Sequence, residues 1–234
     1  GYLEINGITR STVWDDSLSY GFAFRVINYD GVPDNFEYPI FVSPSDSNID
    51  GVIIKYADIQ NVKVDGARLI YIAASDCNNW NISYNYLHDN NSVQIYTPYA
   101  FNGLTVENNY FARNGVGHNE ALHATGDGHS NFKIRNNIFE DIGGTAVIAV
   151  NGDNHDICGN LFFHTPGFNS TVSYVAGMAQ DPIPLTNSRF FNNTIANIKT
   201  TSTTGFQAAV NDDTATGTIA YGNLWYNCEN VQFQ

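Results

Sequence analysis

The segment Gly117–His129 gathers His118, Glu120, His123, Asp127 and His129, so three of the six histidines fall in one short stretch beside two acids. These are the side-chain types that move protons. Taking an α-proton from a uronic acid needs a base beside a neutralised carboxylate, and hydrolysing a glycosidic bond needs an acid and a base. His118, Glu120, His123 and Asp127 are therefore the candidate catalytic residues. Glu120 and His123 have opposite parity along a strand, so both reach one face only where the backbone bends. The competing reading of the same residues is turn capping and a satisfied core histidine.

Binding a sugar chain asks for cations to meet carboxylates and for aromatic faces to stack on rings. Arg25, Arg68 and Arg113 supply the former and Tyr96 the latter, with Tyr99 and Phe101 close by in sequence. Asp76, Asp127, Asp153, Asp181 and the pair Asp212–Asp213 each follow an apolar segment. Asp127 and Asp153 are candidate Ca²⁺ ligands on that ground. Aspartate also suits turns, through side-chain bonds to nearby amides, and that reading competes with the metal.

Acids outnumber bases, 23 to 10, for a net charge of −13, the wrong sign for neutralising phosphates, so nucleic acid is an unsuitable partner. No apolar run approaches the roughly 20 residues of a membrane span. With 43% hydrophobic and 14% charged residues the chain has material for a core and too little charge for disorder. Cys77, Cys158 and Cys228 are spaced too widely for a zinc or redox CxxC site. Asn-x-Ser/Thr sequons start at Asn81, Asn90, Asn169 and Asn192, as a chain with 31 asparagines would produce without selection.

What must position these side chains is a repeat. The pattern apolar, two residues, Asn, one residue, apolar recurs as Leu3..Asn6.Ile8, Ile82..Asn85.Leu87, Val106..Asn109.Phe111, Ile134..Asn137.Phe139, Ile157..Asn160.Phe162, Phe190..Asn193.Ile195 and Ala220..Asn223.Trp225. Ile54..Ala57.Ile59 is an eighth copy, with Ala for Asn. A second apolar segment lies between copies: Phe22–Val26, Leu69–Ala73, Val93–Tyr96, Ala121–Thr125, Ala146–Val150, Ser173–Gly177 and Phe206–Val210. No helical stripe runs through any of them. The expectation is an all-β, right-handed parallel β-helix of about eight rungs over 1–234, with 29–50 as an insertion loop. The Asn would sit at a sharp corner, take a left-handed backbone and bond its counterpart one rung away, while the flanking apolar residues fill the core.

These residues resemble the right-handed parallel β-helix proteins of the pectate-lyase-like superfamily; Asn131-Phe-Lys-Ile-Arg-Asn-Asn-Ile-Phe139 is the nearest copy of that superfamily's repeat. Gly115–Ala149 is also similar to a group of bacterial extracellular β-helix proteins. The resemblance implies an extracellular or cell-surface protein with a groove along the sheet formed by the intervening segments, the first sheet, where members bind polysaccharide. A lyase is implied slightly ahead of a hydrolase. The superfamily also holds non-catalytic members, so a structural, adhesive or filament-forming β-helix stays open. Leu3 and Trp225 already belong to rungs, which leaves both ends uncapped and implies flanking domains or end-to-end self-association.

Overall fold

The computed structural model describes residues 4–6, 24–27, 39–42, 49–60, 68–116, 119–176, 185–200 and 216–229. Every strand pairing among them is parallel, and no α-helix occurs among the described residues. The strands stack into three long sheets, each adding one short strand per turn. The chain is a parallel β-solenoid, as the repeat predicts.

From Ile54..Ala57.Ile59 onward each repeat copy bends beside its ladder position and so contributes to two sheets. Its first half, joined by Glu4–Asn6 from the first copy, gives the second sheet: Ile53–Lys55, Asn81–Ser83, Thr105–Glu107, Lys133–Arg135, Asp156–Cys158, Arg189–Phe191 and Ile219–Tyr221. Its second half, joined by Phe24–Ile27 from the interval after the first copy, gives the third: Ala57–Gln60, Tyr86–Asn90, Tyr110–Val116, Ile138–Gly143, Leu161–Phe163, Thr194–Ala196 and Leu224–Tyr226. The intervening segments form the first sheet: Ile40–Val42, Ile70–Ile72, Ile95–Tyr96, Leu122–Ala124, Ala146–Val150 and Tyr174–Ala176.

Two expectations change here. Among the described residues the first sheet has six strands, so the turns closed through all three sheets there are fewer than eight. The first turn is also assigned differently: Phe24–Ile27 pairs with Ala57–Gln60 in the third sheet, and the first-sheet strand is Ile40–Val42, inside the stretch expected as an insertion loop. A long interval between copies holds a whole extra strand, and apolar content alone does not say which sheet takes it. The expected segment Phe206–Val210 lies outside the described residues.

The corner between second and third sheets is an asparagine ladder. Nδ2 of Asn85, Asn109, Asn137, Asn160 and Asn193 each donates to Oδ1 of the next ladder residue at 3.0–3.1 Å. The same Oδ1 accepts the preceding ladder residue's backbone N–H at 2.9–3.0 Å. Ala57, without an amide of its own, still donates its N–H to Asn85 Oδ1 at 3.0 Å. Backbone donors that the bend would orphan inside the solenoid are thereby satisfied.

The left-handed residue is not the ladder Asn but the one before it. Tyr56, Tyr84, Asn108, Asn136 and Asn192 have φ of 52–57°, and Gly159 and Gly222 have φ of 65° and 64°. The Asn-Asn doublets thus divide two tasks: the first residue tolerates the left-handed backbone, the second builds the ladder.

Inside, the residues three before and two after the ladder are buried: Ile82, Val106, Ile134, Ile157 and Phe190 on one wall, Leu87, Phe111, Phe139, Phe162 and Ile195 on the other. Phe111, Phe139 and Phe162 stack with centroids 4.9 and 4.7 Å apart and nearly parallel rings. Trp225 packs against the same core, half-buried. The three cysteines are free thiols.

Candidate functional site

Strand alternation turns one residue of each first-sheet strand outward, and the register stacks Phe41, Tyr71, Tyr96 and His123 in one column along the solenoid. Their neighbours Ile40, Ile70, Ile95 and Leu122 face the core. Ring centroids are 5.4 Å apart for Phe41–Tyr71 and 5.3 Å for Tyr71–Tyr96, and His123 meets Tyr96 edge-on at 5.3 Å. Because the tyrosines cover each other's faces, they present ring edges outward.

Arg68, just before its strand, places its guanidinium 4.7 Å from the Tyr96 ring centre and 5.6 Å from that of Tyr71. Burial pushes the Tyr96 phenol up, against the opposing pull of Arg68. Tyr96 therefore keeps its proton.

Glu120 is fully buried. It precedes strand Leu122–Ala124, so strand parity does not separate it from His123. Its Oε1 accepts the Thr145 N–H at 3.1 Å, and Oε2 lies 3.4 Å from His123 Nδ1. His123 Nε2 lies 2.8 Å from Thr125 Oγ1. The imidazole is thus oriented through both ring nitrogens.

Of the sequence-derived candidates, Arg68, Tyr96, Glu120 and His123 come together. Asp127 stands apart, exposed on the turn before Gly128. Asp153 accepts bonds from Asn187 Nδ2 and Thr186 Oγ1, both at 2.8 Å, which lower its pKa. That is turn chemistry, and among the described residues no three His, Cys, Asp or Glu side chains form a metal-binding group. Arg25 lies in the third sheet in register with Asp58, not on the first sheet where its apolar segment is expected, because apolar content does not say which sheet a segment joins. His118 lies outside the described residues.

Arg113 also belongs elsewhere. It lies within strand Tyr110–Val116 of the third sheet, where a left-handed backbone (φ 49°) turns the chain toward the first sheet. Nε donates to Asp89 Oδ1 at 2.7 Å, and Nη2 to Asp89 Oδ2 at 2.9 Å and Tyr86 Oη at 2.8 Å. Behind them His88 sits between two carboxylates, Nδ1 2.6 Å from Asp89 and Nε2 2.9 Å from Asp58. Burial would lower the His88 pKa, but Asp58 and Asp89 outweigh it and raise it. Burial would likewise raise Asp89, yet Arg113 and His88 hold it far below the usual carboxylate range.

Asp89 and Arg113 of this network line a broadly open cavity of about 640 Å³ at the corner between third and first sheets. The sequence reading placed Arg113 alone of this group. Aligning residues four past each ladder position finds Asp89 and Asp141 beside it, since Asp89, Arg113 and Asp141 share that offset from Asn85, Asn109 and Asn137, but not Asp58, Tyr86 or His88.

No protein-family model, curated protein or solved structure matches this chain. Fold and site together define a parallel β-solenoid with a polar and aromatic column along its first sheet. Among the described residues no helix is long and apolar enough to cross a membrane.

Proposed function

We propose that this chain is an extracellular, polysaccharide-active β-helix of the pectate-lyase-like kind that holds a glycan along the outer face of its first sheet and cleaves it by β-elimination. The observation that carries the reading is the contiguity of Arg68, Tyr96 and His123 on that face, with the buried Glu120 behind His123. Arg68 neutralises a uronate carboxylate, which acidifies the adjacent C–H. With Glu120 accepting from Nδ1–H, His123 keeps Nε2 unprotonated and takes that proton. The C–H pair becomes the new carbon–carbon double bond and the glycosidic C–O bond breaks. Tyr96, which keeps its phenol proton, protonates the leaving oxygen.

Incubating the chain with uronic-acid and neutral polysaccharides, with and without Ca²⁺, tests this by ultraviolet absorbance of unsaturated ends and by reducing ends. Unsaturated product that disappears in His123→Ala and falls in Tyr96→Phe is expected. Reducing ends alone would convert the reading to hydrolysis.

One observation favours a second reading, a non-catalytic glycan-binding or structural β-helix: both His123 nitrogens are already engaged, by Glu120 and Thr125. Glycan binding that survives in His123→Ala, with no product from either protein, would establish it.

A further inference from the structure

The geometry points to a second ligand site, separate from the first-sheet column: the corner cavity lined by Gln60, Asp89, Asn91, Arg113, Asp141 and Phe168 binds a neutral sugar unit. The inference does not depend on whether the groove is catalytic.

Its volume, about 640 Å³, lies in the range of small-molecule sites. Its polar groups are fixed from behind, as a preformed site requires. Arg113 is clamped by Asp89 and Tyr86, and Asp89 is backed by His88, itself backed by Asp58. Asp141 accepts from the Thr165 N–H at 2.7 Å and from Thr165 Oγ1 at 2.6 Å.

The corner backbone sets where these side chains stand. Asp89, Arg113 and Asp141, one per turn, have left-handed φ of 49–52°, as do Asn197 and Asn227 at the same offset in later turns, with φ of 57° and 49°. Aspartate and asparagine tolerate that region, whereas arginine gains nothing from it, so Arg113 stands on the cavity wall at a cost in backbone strain.

Charge selects the ligand. Asp89 cancels Arg113, and Asp141 leaves the lining net negative, which disfavours uronates and phosphates. Carboxylate oxygens at Asp89 and Asp141 accept from hydroxyls, and the Gln60 and Asn91 amides both donate and accept. Phe168, whose ring meets His164 edge-on at 4.7 Å, supplies an apolar surface for the C–H face of a pyranose.

Saturation-transfer NMR and calorimetry of the full chain with glucose, galactose and mannose, and with galacturonate as the anionic control, test the site. A neutral sugar is expected to bind, with affinity falling at least about tenfold in Phe168→Ala and in Asp141→Asn and unchanged in the groove variant Tyr71→Ala. Phe168→Ala leaves the ionic network intact, so its loss of binding is not a folding defect. Three outcomes overturn the proposal: no neutral sugar binding to the folded chain, binding lost in Tyr71→Ala but kept in Phe168→Ala, or galacturonate preferred over every neutral sugar. Failure of the lyase assay has no bearing on any of them.

Discussion

Individual histidines in this solenoid follow opposite electrostatic rules. His88 is held between carboxylates, while His129 and His155 are buried among aromatics, with Phe132 5.4 Å from one ring and 4.9 Å from the other. Burial lowers both to about 4, aided at His129 by His155 and His123 and opposed at His155 by its bond to the Asn151 carbonyl and by Asp153 and Asp156. Between about pH 6.5 and 4 the unfolded chain binds these protons and the folded chain does not, so stability falls as pH drops through that window. The upper bound is on the order of 3 kcal/mol per histidine. His88, whose pKa is raised, works the other way, stabilising at low pH and losing that contribution as pH rises through its folded value. Urea denaturation across the window should show stability climbing with pH, with a shallower climb in His155→Gln.

At the level of the element, the two asparagines of a doublet should respond differently to substitution. Asn137→Ala removes bonds to Asn160, the Val106 carbonyl and Asn109, and strands the buried Asn109 N–H. A loss of roughly 2–4 kcal/mol is expected from such an orphaned donor and broken network. Asn136 is exposed and serves its left-handed backbone (φ 56°), so Asn136→Ala should cost about 1–2 kcal/mol. Asn136→Gly should be nearly neutral. Equal costs for Asn136→Gly and Asn137→Ala, measured by equilibrium unfolding, would contradict this division. The corner doublets were legible as a pattern in the chain, but which member bends and which bonds was not, because Asn suits both tasks.

Across the whole molecule each turn contacts only its neighbours, and stability is a sum of turns and interfaces. The Phe111–Phe139–Phe162 stack ties three turns together, so Phe139→Ala should cost about 3–5 kcal/mol. Hydrogen exchange should show the strongest protection for the amides of Val106, Ile134 and Ile157, which have paired strands on both sides. The column of Phe41, Tyr71, Tyr96 and His123 exists only at this scale, since residues dozens of positions apart meet through register. The same holds for Asp58 and His88, 30 residues apart.

The sequence by itself determined the solenoid, its ladder and its buried apolar columns, because every copy repeats the same local demand: a bend whose amides need a partner and two apolar side chains that need a core. It also marked Arg68, Tyr96, Glu120 and His123, residues whose chemistry is written in their types. It misplaced Arg25 and left Arg113 without its partners, because loops of unequal length separate the copies and spacing alone does not assign a segment to a sheet. Only the tertiary structure decided that. Register between turns brings Asp58, His88, Asp89 and Arg113 to one corner, and the energy that selects it, parallel pairing over a shared core, is nonlocal.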